Sequence, residues 1–78
     1  MNNRVIEFDF SKLKGRIIEK FGSMSNFAIA ARIDRGTLCR RFKNKSVWPS
    51  DDILCVCEPE LLNIAREEIP IYFFAPKF

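Results

Sequence analysis

The chain is short and mildly basic. It has 78 residues, of which 47% are hydrophobic, and a formal net charge of +3. This length suits one small domain with a modest core, and the longest apolar runs are far shorter than a bilayer span. Since no signal-peptide pattern opens the chain, we expect a soluble intracellular protein with no membrane partner.

The N-terminal part predicts a short strand and then a helix. In residues 4–10 apolar and acidic residues alternate, which is the period-two pattern of a half-buried strand. Ser11 is placed to cap a first helix over about 12–21, and Gly22 follows as its stop signal. Gly15 inside this helix predicts the close approach of another backbone. The apolar strand residues are Ile6, Phe8 and Phe10, and the apolar helix face is Leu13, Ile17, Ile18 and Phe21.

Two short helices joined by a tight turn are predicted next. The first covers about 24–31, with a serine cap at Ser23 or Ser25, and the second covers about 35–43, capped by Asp34. Their inward-facing residues are Phe27, Ala28, Ala31, Ile33, Leu38 and Phe42. Two amphipathic helices meeting at a tight turn are typical of a helix-turn-helix, whose second helix enters the DNA major groove.

Positive charge concentrates on the second of these helices. Residues 32–45 hold six basic residues against one acidic residue, a net charge of +5, whereas residues 46–78 carry a net charge of −4. Such asymmetry suits a protein that turns one face toward a polyanion, and double-stranded DNA is the predicted partner. A solvated helix face is the alternative interpretation of the same charges.

Five residues of this helix are candidates for contact with bases. Arg35 and Arg40 lie about 1.4 turns apart, so both can face one groove and bond the O6 and N7 atoms of guanine. Gly36 lets the helix backbone come close to the bases or phosphates. Thr37 and Cys39 can touch a base edge or a thymine methyl group.

Four other residues are better placed for the DNA backbone. They are Asn26, Arg41, Lys43 and Lys45. Phosphate contacts position a protein on DNA and make its affinity fall with salt. For Arg40 and Arg41 an alternative stays open, namely pairing with a carboxylate of the acidic C-terminal half, and it applies above all to Arg41.

The C-terminal half predicts two further helices and an aromatic tail. Residues 49–52 form a helix start with two carboxylates in the first turn, and Pro59 should end this fourth helix near Glu58. Residues 67–70 begin or occupy a short fifth helix. The predicted inward-facing residues are Ile53, Val56, Cys57, Leu61, Leu62 and Ile64.

The aromatic tail has two interpretations. Tyr72, Phe73 and Phe74 can close the hydrophobic core, or the tail can present Tyr72, Phe74 and Phe78 as a surface for a partner or a second copy of the chain. The tail can also pair with the strand-like residues 4–10. A homodimer would suit operator DNA, whose half-sites repeat about one helical turn apart.

Residues for catalysis or metal binding are sparse. The chain has three cysteines and no histidine, so it lacks a disulfide framework, a catalytic triad and a complete zinc site. Cys55 and Cys57 lie in an apolar stretch, where we expect buried thiols. The adjacent carboxylates at 51–52 and 67–68 suit helix starts. We therefore predict no enzyme, no metal, no cofactor and no small-molecule substrate.

The sequence also resembles a family of short helix-turn-helix proteins from temperate phages and prophages of Gram-positive bacteria. The residues that carry the resemblance are Phe8–Ile17, Phe21-Gly22, Asn26-Phe27-Ala28, Thr37-Leu38, Trp48, Cys57-Glu58, Leu61-Leu62, Ile64, Ile69 and Tyr72–Phe74. Members of this family are Cro-like and are encoded near the lysogeny switch. Some of them act as modulators or antirepressors of the phage repressor.

The resemblance implies an all-α, lambda-repressor-like domain of about five helices over residues 1–78, in the cytoplasm of a bacterial host. It implies a Cro-like repressor that binds operator DNA, with Arg35, Gly36, Cys39 and Arg40 reading bases. The alternative is an antirepressor that binds a phage repressor protein and blocks its DNA binding. Such proteins commonly have glycine at the turn, so Arg32 must either adopt a left-handed conformation or make a different turn.

Overall fold

The computed structural model of the protein describes residues 7–77 and is built from helices. They are α1 (Ser11–Phe21), α2 (Met24–Ala31), α3 (Arg35–Phe42), α4 (Ser50–Val56), a 3-10 turn (Arg66–Glu68) and α5 (Ile69–Phe73). The predicted all-α class with five helices is confirmed. Over the described range, no helix has the length and hydropathy needed to span a bilayer.

The predicted terminal strand is reduced to one contact. Phe8 and Pro76 form an isolated antiparallel bridge, and the backbone N–H of Asp9 donates to the carbonyl of Ala75 at 2.8 Å. The tail therefore pairs with the N-terminal segment as predicted, but no strand forms within residues 7–77. Residues 4–6 of the predicted strand lie outside the described residues.

Helix α1 begins in a way that the sequence did not indicate. Ser11 is its first residue and not its cap, because the carboxylate of Asp9 accepts hydrogen bonds from both the Ser11 hydroxyl and, at 3.0 Å, the Ser11 backbone N–H. These two bonds lower the pKa of Asp9. Gly22 ends the helix at φ 82°, as predicted. The predicted close approach at Gly15 is wrong, since a Cβ there would meet nothing within 4 Å.

The core is a single cluster that takes side chains from every helix. Its fully buried members are Leu13, Ile17, Phe27, Leu38, Val56, Leu62 and Phe73. Two predicted core residues lie outside it: Ile18 is 47% exposed and Cys55 is exposed. Helix α4 buries Ile53, Val56 and Cys57, so position 55 points to solvent, while Ile18 falls at the edge of the face that Leu13 and Ile17 set.

The aromatic residues link the two chain ends to α3. Ring centroids lie 5.5 Å apart for Phe10 and Phe42, 6.0 Å for Phe42 and Trp48, and 5.1 Å for Trp48 and Phe73. Edge-to-face pairs at these distances are favourable beyond the area they bury. Phe73 thus closes the core, whereas Phe74 is 46% exposed. Phe78 lies outside the described residues.

Helix α4 is shorter than predicted. It ends at Val56, two residues before Glu58. The carbonyls of Val56 and Cys57 accept hydrogen bonds from the backbone N–H groups of Leu62, at 2.9 Å, and Ile64, at 3.0 Å. The chain therefore turns back at this point before Pro59 can act as the terminator.

Candidate functional site

Helix α3 is fixed at its start by a side-chain cap and by the core. The carboxylate of Asp34 accepts a hydrogen bond from the backbone N–H of Thr37 at 3.2 Å, as the sequence predicted. Leu38 is fully buried one turn later, and Phe42 packs between Phe10 and Trp48 at the other end. These contacts leave the opposite side of α3 in solvent.

The turn before α3 contains a left-handed arginine. Arg32 has φ 59° and ψ 41°. Of the two predicted alternatives, a left-handed conformation or a different turn, the left-handed conformation is therefore the one observed. A residue with a Cβ pays roughly 1–2 kcal/mol for this conformation. The turn holds because the N–H of Ile33 donates to the carbonyl of Ala28 at 3.0 Å, which closes the end of α2.

The far end of α3 is held by a residue that sequence reasoning missed. Asn44 also has a positive φ, of 61°. Its side-chain oxygen accepts from the backbone N–H of Phe8 at 2.9 Å, and its amide donates to the carbonyl of Phe8 at 3.1 Å. The side chain thus acts like the backbone of a neighbouring strand. An asparagine just after a helix is the only local signal of this role.

Arg41 is buried, and its location argues against contact with phosphate. It is 8% exposed, and its Nη1 lies 2.8 Å from the Oδ2 atom of Asp52. Its guanidinium carbon lies 5.1 Å from the centre of the Trp48 ring. The alternative interpretation, pairing with a carboxylate of the acidic half, is the one that the structure supports. Arg41 joins α3 to α4, so its charge is not available on the exposed side of α3.

The other predicted cations of this segment are exposed. Arg35, Arg40, Lys43 and Lys45 are all exposed, and none of them forms an ion pair with a carboxylate in residues 7–77. Arg40 folds back along the helix, where its Nη2 donates to the hydroxyl of Thr37 at 3.2 Å. We call these four side chains the basic α3 face.

A shallow depression lies beside the basic α3 face. Its volume is about 240 Å³, and Arg35, Cys39 and Lys43 line it on the α3 side. Lys14 of α1 also lines it. Sequence reasoning missed Lys14, because nothing local indicates that it lies near α3. The structure thus places a fifth cation next to the four side chains of the basic α3 face.

Gly36 makes room within α3. A Cβ at this position would lie 3.1 Å from Oδ2 of Asp34 and 3.5 Å from Nη1 of Arg40. The glycine therefore leaves space for the cap of α3 and for the folded Arg40 side chain. Its predicted role, the close approach of a base or phosphate, stays a prediction.

Asn26 is partly engaged inside the protein. Its amide nitrogen donates to the carbonyl of Phe21 at 2.9 Å, which fixes the turn between α1 and α2. Its backbone N–H donates to the hydroxyl of Ser23 at 3.0 Å, so Ser23 is the cap of α2. One amide hydrogen of Asn26 remains for the predicted phosphate contact.

The chain is similar in both structure and sequence to a small protein of a temperate phage. The structure is similar to the solution structure of the modulator of repression (MOR) of the temperate bacteriophage TP901-1 from Lactococcus lactis. The TM-score is 0.74 and the sequence identity is 37%, over 86% of this chain and 88% of that chain. The predicted resemblance to short temperate-phage proteins is confirmed.

The family model agrees with this likeness. Residues 6–76 match the family described as protein of unknown function (DUF739), and the chain belongs to that family. No curated protein matches the sequence at a significant level. The match spans all five helices, so the basic α3 face lies within the residues that the family model matches.

Proposed function

We propose that this protein regulates repression in a temperate phage and that the basic α3 face is its contact surface. The observation that carries the proposal is the exposure of Arg35 and Arg40. Both residues are exposed, and neither guanidinium group forms an ion pair with a carboxylate within residues 7–77; unpaired surface cations favour an anionic macromolecule. In this proposal α2 and α3 act as a helix-turn-helix.

The first candidate target is operator DNA, bound in the manner of a Cro-like repressor. Arg35 and Arg40 would contact bases, while Lys43 and Lys45 would contact phosphates. Occupying the operator would exclude polymerase or a competing repressor. Each neutralised phosphate makes the slope of log K against log salt more negative by about 0.9, where K is the association constant.

The second candidate target is a phage repressor protein. The likeness to a protein described as a modulator of repression favours it, because a repressor protein is a direct target for a protein that modulates repression. This mode requires a stable complex between the two proteins and only weak DNA affinity of this chain alone.

A mobility-shift assay on the intergenic DNA beside the gene separates the two candidates, run with and without the co-encoded repressor. Operator binding predicts a shift by this protein alone that strengthens as salt is lowered and is lost in Arg35→Ala and Arg40→Ala. The exposed Arg66 in the acidic half gives a matched control, and Arg66→Ala should bind like the wild type. Partner binding predicts no shift alone and release of the repressor from its DNA.

If this protein neither shifts the DNA nor changes the repressor's shift, the proposal is wrong. If the arginine variants behave like the wild type in both assays, the basic α3 face is not the contact surface.

A further inference from the structure

The depression beside the basic α3 face brings together cations that lie far apart in the sequence. Within the described part of the chain, three of its six lining residues are cationic and none is acidic, and its volume is about 240 Å³. We call this feature the cationic depression. It is lined by Lys14 of α1, Met24 of α2, Arg35, Cys39 and Phe42 of α3, and Lys43 directly after α3.

The cationic depression follows one flank of α3. Arg35, Cys39 and Lys43 succeed one another at intervals of four residues, so they form a row about 12 Å long on the helix surface. Arg40 lies about 100° further around the helix than Cys39 and does not line the depression. The depression therefore lies beside the side of α3 on which Arg40 is predicted to read bases.

The lysines of the cationic depression keep their charge available. Lys14 and Lys43 are exposed, and neither forms an ion pair with a carboxylate in residues 7–77. Cations that share a depression without a counter-charge repel one another, and a bound anion removes this repulsion. The charges of the lining therefore favour an anionic ligand.

The remaining lining makes one anionic ligand a better match than others. Met24 and Phe42 are half-buried and pack against the hydrophobic core, so they give the depression an apolar part. A nucleotide unit of DNA presents a phosphate for the lysines and the carbon atoms of its deoxyribose for the apolar side chains. Contacts to phosphate and sugar are also the largest class of contacts between proteins and DNA.

We infer that the cationic depression binds the sugar–phosphate backbone of one DNA strand, with Lys14 and Lys43 on its phosphates. The inference rests on the proposed function in its operator-binding form and leaves the base contacts proposed for Arg35 and Arg40 unchanged. A helix in the major groove has a DNA backbone on each side, so one strand passes the flank beside Arg40. Lys14 thereby positions α3 from outside the helix-turn-helix, without reading sequence.

Two lysines of α1 form a matched pair for the test. Lys14 lines the cationic depression, whereas Lys12 lines a different depression together with Pro70 and Phe74. Both lysines are exposed, and replacing either one with alanine removes one positive charge from the same helix. A difference between Lys14→Ala and Lys12→Ala therefore reports a local contact and not the change in net charge.

The first measurement is the affinity for the intergenic DNA over a range of salt concentrations. Lys14→Ala should make the slope of log K against log salt less negative by about 0.9, which corresponds to an affinity loss of about eightfold at about 0.1 M salt. Lys12→Ala should keep the wild-type slope, and so should Lys14→Arg, which retains the charge. A wild-type slope in Lys14→Ala, together with lost binding in Arg40→Ala, would overturn the inference and leave the proposed function intact.

The second measurement uses the wild-type protein. Acetylation of its lysines by a small reagent is followed by mass spectrometry, with and without the DNA. At about ten times the dissociation constant, the DNA should slow acetylation of Lys14 by about tenfold and leave Lys12 unchanged. Equal protection of Lys14 by inorganic phosphate, at matched ionic strength, would make the depression a site for free phosphate and would overturn the inference. Protection by the co-encoded repressor and not by DNA would also overturn it.

The outcomes separate the inference from the proposed function. A reduced slope in Lys14→Ala and protection of Lys14, with Lys12 unaffected in both measurements, would support the inference. An absence of DNA binding by the wild type at low salt would refute the inference together with the operator-binding form, and the repressor arm of the mobility-shift assay would then test the partner-binding form. Far-UV circular dichroism checks that each variant folds.

Discussion

Removing the charge of Arg41 distinguishes a structural arginine from a contact residue. The structure places its guanidinium 2.8 Å from the carboxylate of Asp52 and 5.1 Å from the centre of the Trp48 ring. Arg41→Met keeps an unbranched side chain of similar length against the ring and removes the charge. Arg41→Ala removes the packing of the buried stem as well.

The expected magnitudes follow from three terms. A hydrogen bond to a charged group contributes about 1.5–3 kcal/mol, but the Asp52 side chain is 39% exposed, so solvent screening reduces this value. The cation–π contact adds about 1 kcal/mol. Against both stands Nε of Arg41, which is buried without a hydrogen-bond partner and costs about 1–3 kcal/mol.

These terms nearly cancel for one variant and not for the other. We expect Arg41→Met to change the free energy of unfolding by about 1 kcal/mol or less. Arg41→Ala also loses buried apolar area, and we expect it to be destabilised by about 2–3 kcal/mol. In a domain of this size, that loss lowers the Tm by roughly 10–20 °C.

The assay combines stability with binding. Urea unfolding is followed by far-UV circular dichroism and by the fluorescence of Trp48, the single tryptophan. Binding to DNA or to the repressor is then measured at several salt concentrations with Arg41→Met. Its salt slope should equal that of the wild type. The reasoning is refuted if Arg41→Met keeps full stability but the magnitude of its salt slope falls by about 0.9, because that is the change expected when one phosphate contact is lost.

Three other predictions follow from local geometry. Arg32→Gly should stabilise the fold by about 0.5–1 kcal/mol, since glycine relieves the left-handed strain but adds disorder to the unfolded chain; a loss of stability in urea unfolding would contradict this. Asn44→Ala should destabilise it by about 1–2 kcal/mol, because it removes both bonds to Phe8, and faster amide exchange at Asp9 would report the released segment. Alkylation of Cys57 should be slower than that of Cys39 and should accelerate as the pH rises, since the raised pKa keeps its thiol protonated; equal rates would disprove the effect of burial.

Local sequence patterns predicted much of the fold. The caps Ser23 and Asp34 each depend on a hydrogen bond to an N–H three residues away, so the sequence alone could indicate them. Helical spacing of apolar residues identified Phe27 and Leu38 as core. Cys55 was assigned wrongly, because an apolar stretch does not reveal which face of a short helix meets the core.

The candidate site depended on contacts between distant residues. The sequence left open whether Arg41 contacts phosphate or pairs with a carboxylate of the acidic half, and only the tertiary structure brings Asp52 to it and removes it from the exposed set. Lys14 was missed for the same reason, since only the tertiary structure brings it to the depression that Arg35, Cys39 and Lys43 line.

The amino-acid sequence by itself determined the order of the five helices, the caps of α2 and α3 and the segregation of positive and negative charge, because these depend on neighbours within about one turn. The tertiary structure decided which charges face solvent and which of them pair inside the protein. Burial and pairing depend on residues far apart in the chain, as with Phe8 and Asn44, which lie 36 positions apart and bind through two hydrogen bonds. No local pattern encodes such a distance.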